Sequence, residues 1–302
     1  MKTAVAKGHG KDEIFLNFTS EFKPSGVIML DGLKQNDPGE DHTGVIIFNE
    51  LQKLNDVRGD RKIFCHRHVV DTVDALRGRL RGIAEEMTDD VAFILHLECH
   101  GNEDIIEIGD GREWMTWREF MTLLTPINVK NKCNVGLVLA CCDGFNAFKV
   151  DDLAAPVPFY FQLSHNGEIC SGVLEKSLTD FYTKILTEQD LPAAISAAAP
   201  FQIKYSEVIF CDLLYRVMRS QSKEESDEEL FNVLLNAMLS RGGYLGNPDI
   251  AFNREFVTRR METFDQRIVS TLRSNMSFFC GRTPAFDLEK LVAWISNGKV
   301  LT

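Results

Sequence analysis

A mostly parallel, six-stranded α/β sheet with helices on both faces is the fold this sequence predicts, and three observations predict it. Short, continuously apolar runs, beginning with Gly26 to Asp31 (GVIMLD), recur between longer stretches whose apolar residues fall at helical spacing. The runs do not alternate apolar with polar residues, as a sheet with one wet face would, so both faces of the sheet are covered. With 302 residues and 44% hydrophobic content, the chain can bury one large domain, or one domain and a smaller appendage.

The elements follow in order. Gly26 to Asp31 reads as a strand, Asp41 to Asn55 as a helix and Lys62 to His66 as a strand. His68 to Met87 is predicted helical, because Val69, Val73, Leu76, Leu80 and Ile83 share one face. Ala92 to His100 (AFILHLECH) makes the third strand, Asp104 to Trp117 a hairpin turning at Asp110-Gly111, and Arg118 to Leu124 a short helix. Asn134 to Cys141 (NVGLVLAC) is the fourth strand and Val157 to Leu163 the fifth. Helices near Gly172 to Leu186 and Leu191 to Ala199 precede a sixth strand at Lys204 to Phe210.

Beyond about residue 212 the character changes. An acidic tract, Lys223 to Glu229, leads into LFNVLLNAML, and amphipathic segments lie near Arg254 to Arg273 and Asp287 to Ile295. The predicted organisation is an α/β domain over 1–212 and a helical C-terminal extension over 213–302.

Composition narrows the function classes. The formal charge is -11, and no basic cluster with interleaved aromatics is present, which argues against a nucleic-acid partner. The first residues, MKTAVAKGHGKDEIF, hold no apolar stretch of signal-peptide length, and no later run is long enough to span a bilayer; a cytoplasmic protein without a membrane partner is expected. The eight cysteines follow no small disulfide-scaffold spacing. Cys65, Cys133, Cys170, Cys211 and Cys280 are expected to be packed thiols.

Two strand ends carry the chemistry: Cys99-His100-Gly101 and Ala140-Cys141-Cys142-Asp143-Gly144. Groups at the carboxyl ends of parallel strands face a common cleft, because only the loops there are free of the packed core. A thiol beside an imidazole is a nucleophile with its own acid and base. Gly101 lets a substrate backbone approach closely, and its N–H with that of Cys141 suits a developing oxyanion. His96, in mid-strand four residues before His100, reads as a core histidine. Cys99, His100, Cys141 and Cys142 are also a zinc-ligand set by residue type, but strand neighbours point to opposite faces, so no metal and no cofactor are expected.

His-Gly and Ala-Cys on consecutive strands resemble the caspase-like peptidases. The segments from Val157-Pro158-Phe159 to Cys170 and then SGVLEKSLTDFYTKILTEQDLPAAISAAA are similar to the CHAT family, over roughly Gly26 to Asp212. The resemblance implies a caspase-like fold and a cysteine endopeptidase that cleaves a protein substrate, with a regulatory protein partner, often in bacterial antiviral defence or programmed death. By position it makes His100 the base and acid and Cys141 the nucleophile. Cys141 fits Cys-x-x-Gly, as CHAT and metacaspase-like proteins have it, whereas Cys142 fits the Cys-x-Gly of caspases proper. The CHAT-like flanks favour Cys141. The resemblance also makes Asp31, ending the first strand, a candidate for binding a basic substrate side chain; beside Gly32 it equally suits a turn residue bonding local N–H groups. A silent caspase-like interaction module and a small-amide hydrolase using the same dyad are the alternatives.

Overall fold

The architecture is that of a computed structural model, which describes residues 4–6, 14–16, 22–34, 42–59, 62–87, 91–148, 153, 155–220, 269–270, 272–273, 277–284 and 286–296. The chain divides into two compact units, one of Ser20–Lys149 with Val157–Ser206, the other of Met1–Thr19, Val150–Pro156 and Glu207–Thr302. In the latter, Ala4–Ala6 (β1) and Ile14–Leu16 (β2) pair antiparallel.

The sheet unit begins with β3 (Gly26–Asp31), α1 (Thr43–Asp56), β4 (Phe64–Val69), α2 (Val73–Glu86) and β5 (Phe93–Glu98). A small antiparallel sheet follows, made of β6 (His100–Gly101), β7 (Ile105–Ile108) and β8 (Glu113–Thr116). Then come α3 (Trp117–Lys130), β9 (Val135–Ala140), β10 (Phe161–Ser164), α4 (Ser171–Thr187), α5 (Leu191–Ala197) and β11 (Gln202–Tyr205). The main sheet has six strands in the order β11-β10-β9-β5-β3-β4, all parallel except β11, which runs antiparallel to β10. The predicted α/β class and the mostly parallel six-stranded sheet are both present.

Every residue of β3, β5 and β9 is buried, so both faces of the sheet's centre are covered. Helix α1 packs with α4, and α2 with α3, giving two helical layers. Each fully buried Leu or Ile in these strands contributes about 1.5–3 kcal/mol by leaving water. Phe161 of β10 lies over Gly136 of β9, its register partner, where a Cβ would stand 2.5 Å from the ring. Side-chain caps fix three helix starts: Thr72 Oγ1 accepts from Ala75 N–H (3.1 Å), Thr116 Oγ1 from Glu119 N–H (3.2 Å) and Asp190 Oδ1 from Ala193 N–H (3.0 Å).

Several boundaries differ from expectation. The second predicted helix starts five residues later than His68, because β4 continues to Val69 and Thr72 caps α2. Helix α3 runs through Pro126 to Lys130, held by burial of Leu124, Ile127 and Asn128 on its inner face. The sixth strand ends at Tyr205, and Ser206–Ser220 forms α6. There Phe210 packs against Phe278, Phe279 and Phe286 at ring-centroid distances of 5.4, 5.1 and 5.8 Å, so tertiary burial of a helical face overrides the β-branched, aromatic character of Val208-Ile209-Phe210. The predicted helix near Asp287 to Ile295 is α7 (Leu288–Ser296). The acidic tract, LFNVLLNAML and most of Arg254 to Arg273 lie outside the described residues. Among the described residues no helix is long and apolar enough to cross a membrane.

Candidate active site

The residues singled out at the two strand ends do converge. Strands β5 and β9 are adjacent and in register, with Glu98 opposite Ala140, and their carboxyl ends open on a cavity of about 230 Å³ bordered by Cys99, His100, Cys141 and Cys142. Thr43 and Glu98 also line it, with Leu33, Ile169 and Leu174 supplying apolar wall.

His100 leaves the main sheet. Together with Gly101 it forms β6, pairing with Glu107 and Ile106 of the small sheet, and its side chain is exposed. The loop behind it is held by Asn102, whose Oδ1 accepts from Asp104 N–H (2.9 Å) and Ile105 N–H (3.1 Å), while its carbonyl accepts from Trp117 Nε1–H (2.8 Å). Gly101 is needed for close approach: a Cβ there would stand 3.1 Å from the Cys142 carbonyl oxygen and 3.4 Å from Cζ2 of Trp117. The backbone of the His-Gly pair therefore lies against that of the cysteine doublet. Gly101 does not border the cavity.

The two cysteines of the doublet have different surroundings. Cys141 is 3% exposed, and a Cβ on Gly144 would stand 3.1 Å from its sulfur. The neighbouring Cys141 sulfur, followed by burial, holds the Cys99 thiol well above the ordinary range, so Cys99 keeps its proton. Cys142 is half-buried at the cavity, its sulfur 4.0 Å from the Ile169 carbonyl oxygen.

The turn after the doublet is clamped from several sides. Asp143 takes the left-handed conformation (φ 54°), its N–H donates to Gly167 O (3.0 Å) and its Oδ1 accepts from Gly167 N–H (3.0 Å). Gln162 Nε2 donates to Gly144 O at 2.8 Å. Lys204 Nζ bonds Phe145 O and sits 4.0 Å from the Phe145 ring centroid; burial lowers the pKa of that lysine. Asp143 is thus a loop clamp.

Asp31 ends β3, 1% exposed, and its carboxylate is engaged by Arg67 of β4, whose Nε donates to Oδ2 at 2.8 Å and whose Nη2 donates to the same oxygen. Leu33 N–H donates to Oδ1 at 3.2 Å, the local backbone bond expected of a turn residue. Asp31 is not part of the cavity wall. The carboxylate that is part of it belongs to Glu98, which sequence reading passed over. Thr43 Oγ1–H donates to Glu98 Oε1, Glu98 Oε2 lies 2.9 Å from His96 Nε2, and His96 Nδ1 lies 2.8 Å from the Tyr182 hydroxyl. His96 is the core histidine expected, with both ring nitrogens paired. The signal for Glu98 was an acid inside an otherwise apolar run immediately before Cys99-His100.

The remaining thiols are less uniformly packed than expected. Cys133 and Cys211 are buried, and burial raises the Cys211 pKa strongly; Cys65 is partly exposed, its pKa pushed up to about 11 by desolvation. Cys280 is partly exposed, and Cys170, which precedes α4, is exposed. No disulfide joins any of the eight cysteines. Among the described residues no group of three or more His, Cys, Asp or Glu side chains is arranged to hold a metal ion.

The fold and site define a class of α/β protein with a histidine and a cysteine doublet at the carboxyl ends of neighbouring parallel strands. No family model matches the chain, and no curated protein matches it.

Proposed function

We propose that this is a caspase-like cysteine peptidase that cleaves a protein substrate through a Cys–His dyad, with His100 as the acid and base. The observation that carries the reading is the junction of β5 and β9, which gathers an exposed imidazole and three thiols around one cavity. For the nucleophile the geometry favours Cys142 over the Cys141 preferred from sequence. Cys99 and Cys141 follow the register pair Glu98 and Ala140, while the residue after His100 lies against Cys142, a Cβ on Gly101 standing 3.1 Å from the Cys142 carbonyl oxygen. Cys141 is also buried, while Cys142 reaches the cavity half-exposed.

In this mechanism the Cys142 sulfur attacks the scissile carbonyl carbon while its proton passes to His100. Asn102 N–H bonds Ile105 O (3.0 Å), and the alternation of an antiparallel ladder then turns the Gly101 N–H away from β7, toward the doublet, where it suits the oxyanion. His100 returns its proton to the leaving amine, then takes one from the water that hydrolyses the acyl-enzyme. The cavity accommodates one substrate side chain beside the scissile bond.

A second reading, a silent caspase-like module, draws on one observation: among the described residues no hydrogen bond joins His100 to either thiol of the doublet. Dyads often tighten only around substrate, so this does not displace the first reading. Labelling with acyloxymethyl ketones bearing Arg, Lys, Asp or Leu, followed by peptide mass spectrometry, decides between them. A peptidase labels at Cys142, and Cys142→Ala and His100→Ala both abolish labelling; labelling lost only in Cys141→Ala returns the nucleophile to Cys141. No labelling by any probe sinks the peptidase reading.

A further inference from the structure

Behind the proposed nucleophile stand two thiols that the mechanism does not use. Cys99 follows the last residue of β5 and Cys141 the last residue of β9, and because Glu98 and Ala140 are register partners, the two cysteines face each other across adjacent parallel strands. Cys99 N–H still donates to Ala140 O at 3.5 Å, so strand spacing persists past the formal ends. Adjacent strands lie about 4.8 Å apart, within the roughly 4.4–6.8 Å of Cα separation that a disulfide spans. Both side chains leave the sheet on the same side, as those of register partners on adjacent parallel strands do. Each is 3% exposed, yet both border the cavity, which gives a small reagent a route to a pair otherwise shielded from large ones.

We propose that Cys99 and Cys141 form an oxidative modification site, which a small hydroperoxide entering the cavity converts into a reversible disulfide. The Cys141 sulfur attacks the peroxide O–O bond, because the Cys99 thiol is the one held protonated. A sulfenic acid forms on Cys141, and the displaced oxygen leaves with the Cys141 proton as water or an alcohol. The Cys99 sulfur then attacks the Cys141 sulfur, the S–O bond breaks, and hydroxide departs with the Cys99 proton as water. Two thiols and one hydroperoxide become one disulfide, one alcohol or water, and one further water; the peroxide is the two-electron oxidant.

The consequence for activity rests on the peptidase reading. Cys99 and Cys141 are the residues immediately before His100 and Cys142, so a bond between them reorients the backbone that carries the dyad. The bridge thereby switches the site off without consuming Cys142, and a thiol reductant restores it.

The test uses the full chain, reduced and then freed of reductant, exposed to stoichiometric hydrogen peroxide, alkylated and digested with trypsin. Cys99 and Cys141 fall in the separate peptides 82–112 and 133–149, so a bridge appears as a linked pair, and fragmentation assigns its sulfurs. The expected result is a Cys99–Cys141 link that dithiothreitol removes and that Cys99→Ser lacks. The rate of ketone-probe labelling is expected to fall about tenfold or more in the bridged protein and to return on reduction. Wild-type maps showing only Cys141–Cys142 links, or sulfinic acid with no link to Cys99, overturn the proposal without relying on any variant. A Cys99–Cys141 link in protein that no probe labels keeps the modification site and removes the peptidase reading; labelling in protein that never forms the link does the reverse.

Discussion

Replacing Arg67 by methionine tests how β3 and β4 are tied beneath the site. The Asp31 side chain is 2% exposed and that of Arg67 19%, and two guanidinium nitrogens donate to one carboxylate oxygen. Removing one partner of a buried pair costs about 3–5 kcal/mol, because the remaining charge is left in a poorly solvating interior. Here Leu33 N–H still serves Asp31 Oδ1, so the lower end, about 3 kcal/mol, is expected for Arg67→Met. At roughly 2–4 °C per kcal/mol for a domain of this size, the midpoint of thermal unfolding falls by roughly 6–12 °C. Adding Asp31→Asn removes the stranded charge, and the double variant is expected to recover all but about 1–2 kcal/mol of the loss. Urea denaturation of the four proteins closes the cycle. A single Arg67→Met variant within about 0.5 kcal/mol of wild type refutes the buried-pair argument. The same variants bear on substrate recognition: if Asp31 reads a basic side chain, freeing it in Arg67→Met speeds labelling by the Arg ketone relative to the Leu ketone, whereas a purely structural Asp31 leaves that ratio unchanged.

Two further predictions use the same protein. Gly101→Ala places a methyl group 3.1 Å from the Cys142 carbonyl oxygen, which displaces the doublet by a few tenths of an ångström; since about 1 Å of misplacement costs about a hundredfold, probe labelling is expected to slow about three- to tenfold. An unchanged labelling rate in a folded Gly101→Ala protein counts against contact between these two strand ends during the reaction. His68 titrates below its ordinary value of 6.5, first through desolvation, then through the nearby positive charges of Arg79 and His66, with Glu86 opposing them. The unfolded chain therefore takes up the proton first, so stability is full above pH 6.5 and declines as pH falls through that value toward the lower folded one. Urea midpoints measured across that window should show His68→Gln flattening the decline, and parallel curves for the two proteins would remove His68 as its source.

Much of the sheet was legible because burial on both faces leaves a direct mark on sequence. GVIMLD, FILHLE and VGLVLA are continuously apolar or nearly so, and they are the buried strands β3, β5 and β9. Helix α2 was legible on its inner face, since Val73, Leu76, Leu80 and Ile83 recur at helical spacing and are buried, but its start was not, because the apolar Val69 and Val70 extend the pattern beyond the cap at Thr72. Lys204 to Phe210 misled for a related reason: a short apolar run fits a strand or a helical face equally, and the aromatic rings at 278, 279 and 286 that choose between them are distant in sequence.

At the candidate site, residue type alone marked His100, Gly101 and the doublet, because reactive groups placed where apolar runs stop have a limited set of structural uses. Sequence could not rank Cys141 against Cys142, since both spacings to Gly144 are acceptable and the difference lies in register with a strand some forty residues away. Nor could it separate Asp31 from Glu98. Both are acids at strand ends, and only the packing of β4 against β3 gives Asp31 its arginine, while the start of α1 brings Thr43 to Glu98. The sequence by itself determined the alternation of strand and helix, the apolar faces and the two strand ends where the histidine and the cysteines stand, because these follow from local periodicity. The tertiary structure decided which cysteines stand on neighbouring strand ends, which carboxylate borders the cavity and which way each neighbouring side chain faces, because those depend on strand order and register, which no local pattern encodes.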